Sequence, residues 1–186
     1  SQMFGVPVEK IVKGNPEYAL RQKGKVATLA LGYQGGTSAL IAMGALNMGL
    51  TEDELPDIVQ RWRCANPRIK DLWYSVENAA VAAMQTAQPQ GIRGLIFSIE
   101  GDLLYDQVFL TVTLPSGRKL YYPKPFLKEN QFGKMAVHYY AVGQQTKKWG
   151  IESTYGGKMT ENIVQAIARD CLAVTLSRID QKGLQV

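Results

Sequence analysis

Apolar positions recur at helical spacing at both ends of the chain and gather into strand-like runs in its middle. Asn15-Pro16 sets a good N-cap before a proline suited to the first helical position. The pattern predicts a helix over 16–33 that closes near Gly35-Gly36. Gly24 and Gly32 weaken it by about 1 kcal/mol each relative to alanine. A second apolar helix is expected over 38–47. Thr51-Glu52-Asp53-Glu54 is a capping box and opens a helix to Cys64. Asn66-Pro67 repeats the cap-plus-proline signal and opens a long helix to Thr86, halted before Pro89-Gln90-Gly91.

The middle changes character. Residues 92–100 and 103–114 are rich in β-formers, and Pro115-Ser116-Gly117 reads as a hairpin turn into 118–122. Pro123 and Pro125 are expected to begin a loop, 136–142 to form a strand, and 144–158, with Gly156-Gly157, to be irregular. The last helix is expected over 160–182, where Ile163, Ile167, Cys171, Val174 and Ile179 keep helical spacing. Helices, then strands, then a helix predict an α+β fold. The expected division is a mostly helical part over 1–91, a β-rich insertion and loop over 92–158, and a closing helix over 159–186.

Composition narrows the chemistry. The 186 residues carry a formal net charge of +5 and 46% hydrophobic content, an ordinary globular balance with a modest basic excess that suits a polyanionic partner. Cys64 and Cys171 stand far apart with no CxxC spacing, which argues against a disulfide framework or a zinc site. His138 is the sole histidine, so a His pair or a Cys–His relay has little to work with, and a structural role is expected for it. No apolar run is long enough to span a bilayer and no signal peptide opens the chain, so a cytoplasmic setting without membrane partners is expected. The chain starts at Ser1 and stops at Val186, where an apolar stretch begins, so an internal piece of a longer protein is expected.

The richest segment runs from Arg21 to Gly35. Arg21 and Lys25 lie four apart on the predicted helix and share a face. Leu29 and Tyr33 continue the step, drifting about 40° each time. Two cations followed by small residues and a tyrosine suit a triphosphate and a flat base. Read from the residues alone, the same pattern also describes a basic helix edge beside a buried stripe.

The spacing Arg-x3-Lys-x7-Tyr resembles the fingers helix of DNA polymerases of the DNA polymerase I type (family A), and its Tyr-Gln-Gly ending resembles the phage and prophage branch. A second stretch, Thr154-Tyr155-Gly156-Gly157-Lys158 through Asp170, resembles the palm helix that precedes the second metal-binding motif of that family. The resemblance implies that the chain is the fingers and part of the palm. It implies that Arg21 and Lys25 grip the β- and γ-phosphates of a dNTP, that Lys25 also helps protonate the leaving pyrophosphate, and that Tyr33 stacks at the templating position. Gln165 would read the minor groove of the primer–template, with Glu161 or Asn162 as the preceding polar contact. Leu29 departs from the family, where an aromatic residue faces the sugar and base. Gln34, a template-side contact by its place, departs where glycine follows the tyrosine. The resemblance further implies Mg²⁺ in the intact enzyme, held by an aspartate before the fingers and a His-Asp-Glu turn after the last helix. Neither lies in this chain, so the isolated chain is expected to be inactive, and Asp102, Asp106 and Asp170 are expected to hold no metal. The alternative is a non-catalytic DNA-binding module. Trp62, Trp73 and Trp149 suit either base stacking or packing, with packing expected. Arg118-Lys119 and Lys147-Lys148 suit either phosphate contacts or solvated loops.

Overall fold

The computed structural model describes residues 4–102, 107–130, 132–143 and 146–183, which form two compact units, Ser1–Tyr74 and Ser75–Val186. Helices and two antiparallel sheets make the α+β fold expected from the sequence.

The first unit is helical. A single 3₁₀ turn, Pro16–Tyr18, leads into α1, Ala19–Leu31. Asn15 has extended backbone but does not cap the helix; its side-chain amide donates to the Lys10 carbonyl at 3.1 Å instead. Helix α1 ends two residues earlier than expected, so Tyr33 lies in the turn that follows. The expected helix over 38–47 is a short α2, Thr37–Ala42, and then a separate 3₁₀ turn, Leu46–Met48. The break falls at Gly44, whose φ of 85° is left-handed. The Thr51–Glu54 box forms as expected: the Glu54 carboxylate accepts from the Thr51 N–H at 2.8 Å and its hydroxyl at 3.0 Å. It leads into α3, Leu55–Ala65. Asn66 closes α3 by donating to the Trp62 carbonyl at 2.8 Å, and α4 is Pro67–Thr86, as expected.

The core of this unit gathers Ala27, Ala30 and Leu31 of α1 with Leu40, Leu55, Ile58, Trp62 and Trp73. Trp62 and Trp73 stack with centroids 6.0 Å apart and planes 4° apart, and Trp73 is 1% exposed. The indole N–H of Trp73 donates to the Gly32 carbonyl at 2.9 Å. That carbonyl is among the last of α1, where no further turn supplies a donor.

The second unit holds both sheets and the last helix. One sheet runs β1 (Gln90–Ile92), β2 (Leu95–Asp102), β3 (Gln107–Thr113) and β4 (Lys119–Pro123) in that order. The expected strand over 92–100 is thus two strands. Arg93 and Gly94 both take positive φ, 45° and 80°, and make a two-residue turn between paired Ile92 and Leu95. Residues 103–106, including Asp106 and the start of the second expected strand, lie outside the described residues. The turn at 115–117 forms as expected, with Gly117 donating to the Leu114 carbonyl at 2.9 Å. Pro123 closes β4 rather than opening a loop, a position an edge strand tolerates.

The other sheet is β5 (Phe126–Glu129), β6 (Met135–Val142) and β7 (Trp149–Ser153), again antiparallel in order. Strand β5 corrects the expectation of a loop from Pro123 and Pro125, and β7 that of an irregular 144–158. Helix α5, Gly156–Gln181, starts four residues before the expected 160. Gly156 and Gly157 are its buried first turn, and the Gly156 N–H bonds the Glu77 carboxylate. Burial holds the Glu77 carboxyl above its ordinary value despite that bond.

Replacing Trp73 with Phe keeps most of the buried ring but strands the Gly32 carbonyl. The expected cost is on the order of 2 kcal/mol, from a half-buried acceptor that loses its donor and a small void in the core. Urea unfolding followed by circular dichroism measures it; a loss below about 0.5 kcal/mol, within the range of a neutral surface change, would show that this bond does not anchor α1.

Candidate functional site

Helix α1 buries Val26, Ala27, Ala30 and Leu31. Its opposite face carries Arg21, Lys25 and Leu29, all exposed, with Leu29 50% exposed in mid-helix. The three residues rise along one side at four-residue steps, about 6 Å apart along the axis. Among the described residues neither Arg21 nor Lys25 has a carboxylate partner. Tyr33 is half-buried just past the end of the helix.

The Tyr33-Gln34-Gly35 turn has a tight geometry. Gln34 adopts a left-handed φ of 70°. A Cβ on Gly35 would lie 2.0 Å from the Ala30 carbonyl oxygen and 2.9 Å from the Ala39 Cβ, so no other residue fits there. The Gly35 carbonyl accepts from the Arg63 guanidinium at 3.1 Å, which ties the turn to α3.

In the second unit, α5 runs beside β4. Arg118 holds the two together: its Nε donates to Asp170 at 2.8 Å and its Nη2 to the Ala166 carbonyl at 2.9 Å. Ser116 donates to the other Asp170 oxygen at 2.6 Å. These bonds, the Ser116 hydroxyl first and the Arg118 guanidinium next, hold the Asp170 carboxyl below its ordinary value. Both oxygens are therefore engaged in bonds that tie α5 to the turn before β4. Among the described residues no three His, Cys, Asp or Glu side chains gather where they could hold a metal ion. Nor is any described helix long and apolar enough to cross a membrane.

Between β4 and α5 lies an open groove of about 420 Å³ lined by Arg118, Tyr121, Tyr122, Asn162, Gln165 and Arg169 among others. Asn162 donates to the Tyr122 hydroxyl at 3.2 Å. Burial pushes that phenol up to about 12, so it stays protonated at neutral pH. Tyr139 of β6 packs edge-on to Tyr122, centroids 5.0 Å apart. Gln165 is exposed and donates to Glu161 at 3.1 Å. The structure thus brings Asn162 and Gln165 to one groove and leaves Glu161 as the acceptor for Gln165. Tyr121, Tyr122 and Arg169 are groove residues that the sequence reading did not single out. Their signal was faint: β4 reads as Lys119-Leu120-Tyr121-Tyr122, and Arg169 is one more charge on a long helix.

The other sequence candidates divide. Trp62 and Trp73 are core, as expected; Trp149 is 62% exposed, against the expectation of packing. Lys119 is bonded to Glu100 through Nζ contacts of 2.7 and 2.8 Å, and Arg118 to Asp170, so this pair is structural rather than available to phosphate. Lys147 and Lys148 are exposed. His138 stacks on Phe126 within the second sheet, centroids 5.4 Å apart.

No family model matches the chain, and no solved structure matches it. Among curated proteins it is 56% identical over 185 residues to a DNA polymerase of Bacillus phage SP02. The chain is similar to part of a phage DNA polymerase. The match takes in 98% of this chain and 27% of that protein, so the chain spans about a quarter of its relative's length.

Asp170 supports a pH-dependent prediction. A carboxyl held below its unfolded value adds stability above that value and loses it as pH falls through the folded one. Asp170→Asn is therefore expected to lower the melting temperature at neutral pH. The gap to the unchanged protein should close as the pH drops below the ordinary aspartate value of 3.8. Thermal melts across that range test it, and a pH-independent gap would remove the charge from the account.

Proposed function

We propose that this chain is the fingers and part of the palm of a family A DNA polymerase of phage type, where it binds the incoming dNTP and the primer–template. The observation that carries the reading is the solvent-facing row of Arg21, Lys25 and Leu29 on α1, whose two cations have no carboxylate partner among the described residues, in a chain 56% identical to part of a phage DNA polymerase. In this reading the Arg21 guanidinium fork takes phosphate oxygens of the bound triphosphate. The Lys25 ammonium meets charge that builds on the leaving pyrophosphate and gives it a proton. Leu29 faces the sugar and base, and Tyr33 stacks at the templating position. Asn162 and Gln165 touch the primer–template from the α5 groove; Asn162 is preferred over Glu161 because it lines that groove. Gln34 lies beside Tyr33 on the template side.

The described acids of this chain do not make a site for Mg²⁺, so the reading assigns the metal to carboxylates elsewhere in the intact enzyme and routes no step of these residues through it. What Arg21 and Lys25 contribute is electrostatic. A cation that gains more in the transition state than in the ground state raises the rate rather than only tightening binding.

That difference is measurable in the full-length protein by single-turnover kinetics against dNTP concentration. Lys25→Ala is expected to lower the maximal rate by on the order of 10²–10³. Arg21→Ala is expected to weaken apparent nucleotide affinity, with the smaller change in maximal rate. A Lys25→Ala rate within about threefold of the parent, where such a contact is worth far more, overturns the assignment. Leu29→Phe is expected to change relative use of deoxy-, dideoxy- and ribonucleotides, since a rigid ring replaces a soft aliphatic surface. Unchanged relative efficiencies in competition assays would show that Leu29 does not face the substrate.

A further inference from the structure

The two faces of the β5, β6 and β7 sheet differ most toward the Val142–Trp149 end, since at the other end Ala136 is buried on one face and Met135 is exposed on the other. Val137 and Tyr139 mark one face, with Val137 buried and Tyr139 against Tyr122. The strand register places Phe126, His138, Tyr140, Val142, Trp149 and Ile151 together on the other face, because directly paired residues point to the same side. Their rings form two stacked pairs, Phe126 on His138, and Tyr140 on Trp149 with centroids 6.5 Å apart and planes 29° apart. Exposure is greatest at the Val142–Trp149 end: Val142 is 57%, Ile151 56% and Trp149 62% exposed.

Charge completes the surface. Lys128 belongs to the same face by register, and Lys147 and Lys148 directly precede Trp149. All three are exposed, and among the described residues none has a carboxylate partner. No acid sits on this face of the three strands; Glu129 and Glu152 fall on the other by register. An exposed indole flanked by the half-buried ring of Tyr140, bordered by lysines without a carboxylate partner among the described residues, matches an unpaired polynucleotide: a base stacks on the ring and phosphates meet the lysines. A duplex fits poorly, since its base faces are already stacked on one another.

We propose that this face of the second sheet is a binding site for single-stranded DNA, with Trp149 as its stacking anchor. DNA is the commitment because the similar protein is a DNA polymerase. The site involves none of Arg21, Lys25, Asn162 or Gln165, so it stands or falls apart from the nucleotide-binding reading of α1.

The test is fluorescence anisotropy with the 186-residue chain at low salt. A labelled oligothymidylate is compared with an oligouridylate and a DNA duplex of equal length. The single DNA strand is expected to bind best, with affinity falling as salt rises. Trp149→Ala is expected to weaken that binding by about tenfold, in the range found for loss of one base-stacking ring. Trp149→Phe should keep it within about threefold, since a stacking ring remains. Lys147→Ala with Lys148→Ala should flatten the salt dependence. Tyr140→Leu provides a second reduction on the same face should Trp149→Ala alter the circular dichroism. The proposal is overturned by a wild-type chain that does not bind the strand, by a duplex or RNA that binds better, or by Trp149→Ala and Tyr140→Leu both binding as wild type. A dimer in sedimentation that Trp149→Ala dissolves would also overturn it, assigning the face to a second copy of the chain.

Discussion

The bond from the Trp73 indole to the Gly32 carbonyl is the constraint on which the first unit depends. It takes up a backbone acceptor at the end of α1, and it does so from a ring locked against Trp62 in the core. Helix α1 is short and carries Gly24 in its interior, so intrinsic propensity alone would leave it marginal. Its position comes from Ala27, Ala30 and Leu31 in the core on one side and from the Trp73 anchor at its end. The row of Arg21, Lys25 and Leu29 can face solvent because the other side is held in this way. An exposed leucine in mid-helix gains nothing from the core; its exposure is what gives it a place in the proposed nucleotide surface.

The turn after α1 shows how a sequence departure meets a backbone demand. Gln34 is left-handed, a conformation that glycine adopts freely and that costs most other residues roughly 1 kcal/mol. The glycine of the resembling family at this place would bear no such cost. Gly35 has no such latitude, because the Ala30 carbonyl occupies the space of any side chain. In the second unit Arg118 has a corresponding role. By committing its guanidinium to Asp170 and the Ala166 carbonyl, it fixes α5 against the β3–β4 turn and sets one wall of the groove that Asn162 and Gln165 line.

Much of the helical layout was legible because its signals are local. The Thr51–Glu54 box, the proline after Asn66 and the Pro89-Gln90-Gly91 stop after Thr86 each act within a few residues. The α+β class followed from the order of such segments. What was missed depended on contacts distant in sequence. The Gly156-Gly157 pair reads as a helix breaker, yet it is the buried first turn of α5, with Glu77 of α4 taking the Gly156 N–H. Arg93-Gly94 was hidden inside an apolar run and showed itself only as a turn with two positive φ values. Strands β5 and β7 are short and polar enough to pass for loop, and only pairing with β6 makes them strands. Of the site candidates, spacing along α1 put Arg21, Lys25 and Leu29 on one face, whereas the groove around Asn162 needed β4 beside α5 and was not visible in either segment alone.

The three tryptophans show why residue type alone does not settle a role. Each was assigned to packing on the same ground, that large rings bury area. For Trp62 and Trp73 the helical period sets them among apolar partners, and burial follows. Trp149 opens an edge strand of a three-stranded sheet, on the face opposite Val137 and Tyr139, where its paired Val142 and the flanking Tyr140 leave it 62% exposed. An exposed apolar edge strand invites unwanted pairing, and cations beside it are a common defence. Lys147 and Lys148 are consistent with that defence at no other partner's expense. Defence alone does not require a ring: a threonine or a lysine at 149 would protect the edge better than an indole. The aromatic character of the face therefore calls for a ligand that uses flat rings, while its lysines restrict that ligand to one carrying negative charge. An unpaired polynucleotide meets both conditions with a single chemistry.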